Sequence, residues 1–107
     1  MRFISVFLAS LLLASSAIFD DHYKSFVNPP KEARPGVYWY FMDGNRSRES
    51  ITADLESMSR EGIGYVVFLE VNLGVPRGNV DFMSDEWLDI FRYTIDECKR
   101  LDIQMIL

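Results

Sequence analysis

Three mainly apolar runs punctuate the chain after residue 36, and the two stretches between them carry apolar residues at about every third or fourth position. The first run, Val37-Tyr38-Trp39-Tyr40-Phe41-Met42, is built of β-branched, aromatic and large apolar residues between Pro35-Gly36 and Asp43-Gly44. A short run without polar alternation suits a strand buried on both faces. Ile63 to Val71 has the same character, and Ile103 to Leu107 is a third run. Between the first two, Ile51, Leu55 and Met58 fall at i, i+4, i+7, with Ala53, Asp54, Glu56 and Arg60 around them. That is one stripe of an amphipathic helix. Ser47 caps its start, Glu49 places a negative charge in its first turn, and Gly62 stops it. After a turn-rich stretch from Asn72 to Met83, Ser84 opens a second helix with Asp85 and Glu86 in its first turn. Trp87, Phe91, Ile95, Cys98 and Leu101 mark its expected buried face.

The order strand, helix, strand, helix, strand predicts parallel βαβ units and an α/β fold. A doubly wound sheet and a closed (β/α)8 barrel of the TIM type both begin this way. A barrel takes about 250 residues. On that reading residues 37–107 are the start of a longer barrel, and the ending at Met105-Ile106-Leu107, inside an apolar run, is expected to continue.

The first 17 residues read as a signal peptide. Arg2 supplies the positive charge, Phe3 to Ala14 is almost wholly apolar, and Ser15 and Ala17 fit the small positions of a cleavage site after Ala17. The run is shorter than the roughly 20 residues that span a bilayer, so no membrane span is expected after cleavage. Export to a periplasm or the extracellular space follows. Residues 18–36 read as an irregular lead-in arm, because Asn28-Pro29-Pro30 and Arg34-Pro35-Gly36 break regular structure.

Composition narrows the function classes. A net charge of −5 without a Lys/Arg cluster argues against nucleic acid. One cysteine, Cys98, excludes a disulfide framework and a cysteine-based zinc site within the 107 residues. No glycine-rich phosphate loop follows a strand: Gly62-Ile63-Gly64 precedes one. His22, the one histidine, lies in the arm. No metal ligands and no partner protein are inferred from the residues.

In parallel α/β folds functional groups gather at the C-terminal ends of the strands. Asp43, Gly44 and Asn45 follow the first strand, and Glu70 and Asn72 end the second. Glu70 interrupts an apolar strand and so needs a partner or a cleft. Acid, base, metal ligand and sugar-hydroxyl acceptor are its functional readings; a backbone-bonded loop carboxylate is the structural one. Asp43-Gly44 is either a polar lip or simply a turn. Trp39 and Tyr40 have faces suited to stacking on a sugar. Packing is favoured for Tyr40, and Trp39 is open. Asn45-Arg46-Ser47 fits a glycosylation pattern that matters only in a eukaryotic secretory pathway.

The ordered set Asn28-Pro29-Pro30, Arg34-Pro35, Trp39-Tyr40-Phe41-Met42-Asp43-Gly44-Asn45 and Ile51-Thr52-Ala53-Asp54-Leu55 resembles the start of the catalytic region of glycoside hydrolase family 106, the α-L-rhamnosidase-like enzymes. Met58, Gly62-Ile63-Gly64, Phe68-Leu69-Glu70-Val71, Gly74-Val75-Pro76-Arg77-Gly78 and Ser84-Asp85-Glu86-Trp87 continue it. The resemblance spans the chain from about Phe26 onward. Phe41 stands where the family commonly has a second tryptophan, and Tyr65 where it has a glycine. The resemblance implies a (β/α)8 barrel with further β domains. It implies hydrolysis of terminal α-L-rhamnosides with inversion by two carboxylates, with calcium as a possible cofactor. The catalytic glutamates are expected downstream of Leu107. Trp39, Asp43, Asn45, Glu70 and Asn72 remain as candidate substrate-binding residues for a carbohydrate. Two other readings stand beside this one: an inactive truncated product, and a small exported sugar-binding module using Trp39 and Tyr40.

Overall fold

The computed structural model describes residues 18–107, so the expected signal peptide lies outside the described residues. The described chain falls into two units that divide after Ala33.

In the first unit, residues 18–27 are helical (α1), which corrects the expectation of an irregular arm. The breakers begin only at Asn28. Before it no glycine or proline intervenes, and Asp20 and Lys24 pair at 2.6 Å across one turn. Asn28 N–H closes the last turn on the Lys24 carbonyl at 2.9 Å. Pro29-Pro30 then ends the helix, and a single 3-10 turn follows at Lys31–Ala33.

The second unit runs β1 (Gly36–Met42), α2 (Arg48–Arg60), β2 (Tyr65–Val71), α3 (Asp85–Arg100) and β3 (Gln104–Ile106). All pairings are parallel and the strand order is β1-β2-β3. The expected caps are in place. Ser47 Oγ accepts from Ser50 N–H, and Ser84 Oγ accepts from Trp87 N–H. At the end of α2, Gly62 takes φ +79° and Ile63 N–H bonds the Met58 carbonyl at 3.0 Å.

Both helices contribute to one core against one face of the sheet. Trp39, Phe41, Val66 and Phe68 meet Ile51 and Leu55 of α2 and Trp87, Ile90 and Cys98 of α3. The stripe on α3 differs from the expected one. It passes through Ile90 and Thr94, whereas Ile95 is only half-buried. Thr94 is fully buried because its hydroxyl donates to the Ile90 carbonyl at 2.8 Å, so no polar group is left unpaired. Between the helices, Thr52 Oγ1 donates to Glu97 at 2.9 Å, and Arg100 bonds both Glu97 and Glu56.

The other face of the sheet is apolar yet uncovered by the described residues. Tyr38 is 69% exposed and Tyr40 50%, and Met42 is also exposed. Tyr65, one of the two departures from the pattern that the resemblance implies, has a local packing role. Its register partner is Gly36, and a Cβ at Gly36 would lie 2.1 Å from the Tyr65 ring. The ring occupies the space that the missing side chain leaves.

Candidate functional site

The site sits where β1 and β2 end. There the β1–α2 loop and the β2–α3 loop interlock through their backbones. Gly78 N–H bonds the Asp43 carbonyl at 2.9 Å, and Val80 N–H bonds the Gly44 carbonyl at 3.3 Å. Two glycines make this approach possible. A Cβ on Gly44 (φ +76°) would lie 2.3 Å from the Val80 oxygen, and one on Gly78 would lie 2.2 Å from the Gly44 oxygen.

Asp43 and Asn45 hold the second loop in place. Asp43 takes a left-handed conformation (φ 50°), which a short polar side chain tolerates. Its Oδ2 accepts from Leu73 N–H at 3.0 Å and Val75 N–H at 3.1 Å. The Asn45 amide donates to the Met42 carbonyl at 2.9 Å and the Pro76 carbonyl at 2.8 Å.

Glu70 has the partner its position in an apolar strand requires. Its Oε2 contacts Arg46 Nη2 as an ion pair and accepts from Trp87 Nε1–H. The Arg46 side chain is 0% exposed. Its guanidinium lies 4.8 Å from the Phe41 ring centroid, 5.5 Å from Phe68 and 5.4 Å from Trp87. These aromatic faces attract the cation. Glu70 therefore ties the end of β2 to the loop before α2 and to the first turn of α3.

Between the loops lies a cleft of about 480 Å³, with Asp43, Glu70, Asn72, Arg77 and Phe82 among its walls. The structure thus brings Asp43, Glu70 and Asn72 together. Asn45 supports the loop from outside the cleft lining. Trp39 is a correction to the sequence expectation. It is 5% exposed, on the helix side of the sheet, with its ring against Phe41 and Phe68 and its N–H donated to Asp54 at 3.0 Å. No face of the indole is free to stack on a sugar. Tyr40, assigned to packing, has the exposed ring.

The sequence reading missed Arg46 and Trp87 as site residues. The signal was indirect: a carboxylate in an apolar strand demands a cation or donors, and Arg46 is the cation beside the strand-end turn. Among the described residues no three His, Cys, Asp or Glu side chains cluster to hold a metal ion. No helix of the described residues is long and apolar enough to cross a membrane.

The chain is similar to known proteins along nearly all of its length. Residues 27–107 match the family model for glycoside hydrolase family 106, described as α-L-rhamnosidase. A protein of Formosa agariphila described as "Putative beta-glucuronidase" is 33% identical over 111 residues, covering 97% of this chain and 10% of the relative. The solved structure of a rhamnosidase from Novosphingobium sp. PP1Y aligns with a TM-score of 0.74 at 39% identity, covering 77% of this chain and 8% of that one. The chain spans about a tenth of the length of these relatives. Sequence and architecture agree, and this chain belongs to glycoside hydrolase family 106, the α-L-rhamnosidase family.

Proposed function

We propose that residues 37–107 form the first three strands and two helices of a (β/α)8 barrel in an exported glycosidase that hydrolyses terminal α-L-rhamnosides. The observation that carries this reading is the family match over residues 27–107. The cleft at the C-terminal strand ends, where barrels of this kind place their sites, supports it. So does the apolar sheet face carrying Tyr38, Tyr40 and Met42, which suits the packed interior of a closed barrel.

In this reading the residues described above shape one wall of the sugar pocket. Asp43 and Asn45 fix the loop that forms the wall, and Glu70 and Asn72 present polar groups from it. The acid and base of an inverting hydrolysis come from elsewhere in the polypeptide. Residues 1–17 direct export, and the mature chain begins at Ile18. Edman sequencing of the exported protein checks that boundary. An intact Met1 on the exported form would contradict it.

The name of the Formosa relative favours a second substrate, a β-glucuronide. The full-length polypeptide assayed on p-nitrophenyl α-L-rhamnoside and p-nitrophenyl β-D-glucuronide separates the two. Colour release from the rhamnoside alone is expected. Release from the glucuronide alone selects the second reading, and release from neither rejects both.

A further inference from the structure

We propose that Glu70 offers its second oxygen, Oε1, to a hydroxyl of a neutral sugar in the strand-end cleft, and that Arg46 is the positioning residue that holds the carboxylate for this contact. The proposal rests on the glycosidase reading and adds a specific contact to it. Glu70 lines the cleft and its side chain is 14% exposed. Its Oε2 is engaged by Arg46 Nη2 and Trp87 Nε1, whereas Oε1 accepts no hydrogen bond among the described residues. The fold therefore restrains one oxygen of this carboxylate and leaves the other for a ligand.

Arg46 supplies the second, independent observation. Its side chain is wholly buried, yet Nε and Nη1 have no acceptor among the described residues, and the Nη2 contact is an ion pair outside hydrogen-bond geometry. A buried guanidinium with donors left over is a poor source of stability. Replacing a buried ion pair by well-packed apolar side chains is often neutral or stabilising. The walls around Arg46 are aromatic, so an apolar side chain would suit them. What an apolar pair would not supply is a carboxylate fixed at the cleft wall. A carboxylate held by an ion pair and one N–H donor is a directional acceptor for a sugar hydroxyl.

The test uses the full-length polypeptide with an aryl α-L-rhamnoside and its 2-, 3- and 4-deoxy analogues. The double variant Arg46→Met/Glu70→Leu removes both charges together, and Trp87→Phe removes one donor to Glu70 while keeping a ring. The double variant is expected to melt within a few degrees of wild type and to raise KM on the parent sugar by roughly 10- to 100-fold, with kcat little changed. On one deoxy analogue that penalty should vanish, since the hydroxyl that Glu70 meets is missing. Trp87→Phe should raise KM several-fold with the same analogue dependence. Arg46→Lys should keep KM closer to wild type than Arg46→Met does. A stable double variant with unchanged KM, or a penalty equal on every analogue, overturns the Glu70 contact. If the double variant does not fold, unchanged KM in Trp87→Phe overturns it instead. Wild-type enzyme that hydrolyses none of the series overturns the rhamnoside reading as well. Wild-type turnover with insensitive variants overturns the contact alone.

Discussion

Trp39 and Tyr40 show how one position decides a residue's role. They are adjacent aromatics in an unalternated run, and such a run does not reveal which phase of the strand faces the helices. The structure puts Trp39 inward, with its N–H on Asp54. Trp39→Phe should therefore cost about 1 kcal/mol in a denaturant melt, for the lost hydrogen bond, and leave KM for a sugar unchanged. A raised KM at unchanged stability would return the indole to the pocket. Gly44 makes an opposite kind of claim, since its backbone and its space both exclude a side chain. Gly44→Ala should destabilise the interlocked loops by about 1–3 kcal/mol, read as a lower thermal midpoint. Cys98 is buried, and burial first, then the Glu97 charge, pushes its thiol up to about 11 from the usual 9. Its folded value is the higher one, so its contribution is complete below about pH 9 and is lost as pH rises toward 11. Cys98→Ala should flatten the alkaline limb of a stability–pH curve, and an unchanged limb would contradict this.

At the scale of elements, what the sequence disclosed was local. Ser47, Ser84 and Gly62 announce helix ends because a cap is a bond between near neighbours. The stripe Ile51, Leu55 and Met58 was legible for the same reason. Residues 18–27 are helical although breakers crowd residues 28–36, because the breakers' effect is local and the stretch itself contains none. Arg46 was invisible because its meaning is tertiary: it comes from Glu70, Phe68 and Trp87, up to 41 residues away in a chain that supplied no partner by spacing. The α2–α3 junction is tertiary as well. Arg100 first, then Thr52, holds the Glu97 carboxyl below the usual carboxylate range against an opposing desolvation. A lowered value means stability present above the unfolded pKa and lost as pH falls through the folded one. Glu97→Gln should therefore shrink the acid dependence of unfolding below about pH 4.5, the usual value of the group.

Across the whole molecule, the sheet is covered by helices on one face and carries Tyr38, Tyr40 and Met42 on the other. Loops at the strand ends lock together around a cleft in which Asp43, Glu70 and Asn72 meet. This arrangement is compatible with the family match over residues 27–107 and assigns no bond-breaking chemistry to these residues. In the proposed function they are the wall of a pocket whose acid and base lie elsewhere in the polypeptide. The most direct measurement follows hydrolysis of an aryl α-L-rhamnoside by the full-length polypeptide with proton NMR, reading the anomer of the first sugar released. Free L-rhamnose should appear first as the β anomer and then equilibrate. Release first as the α anomer would contradict inversion. No rhamnose at all, with an aryl β-D-glucuronide cleaved under the same conditions, would contradict the substrate assignment itself.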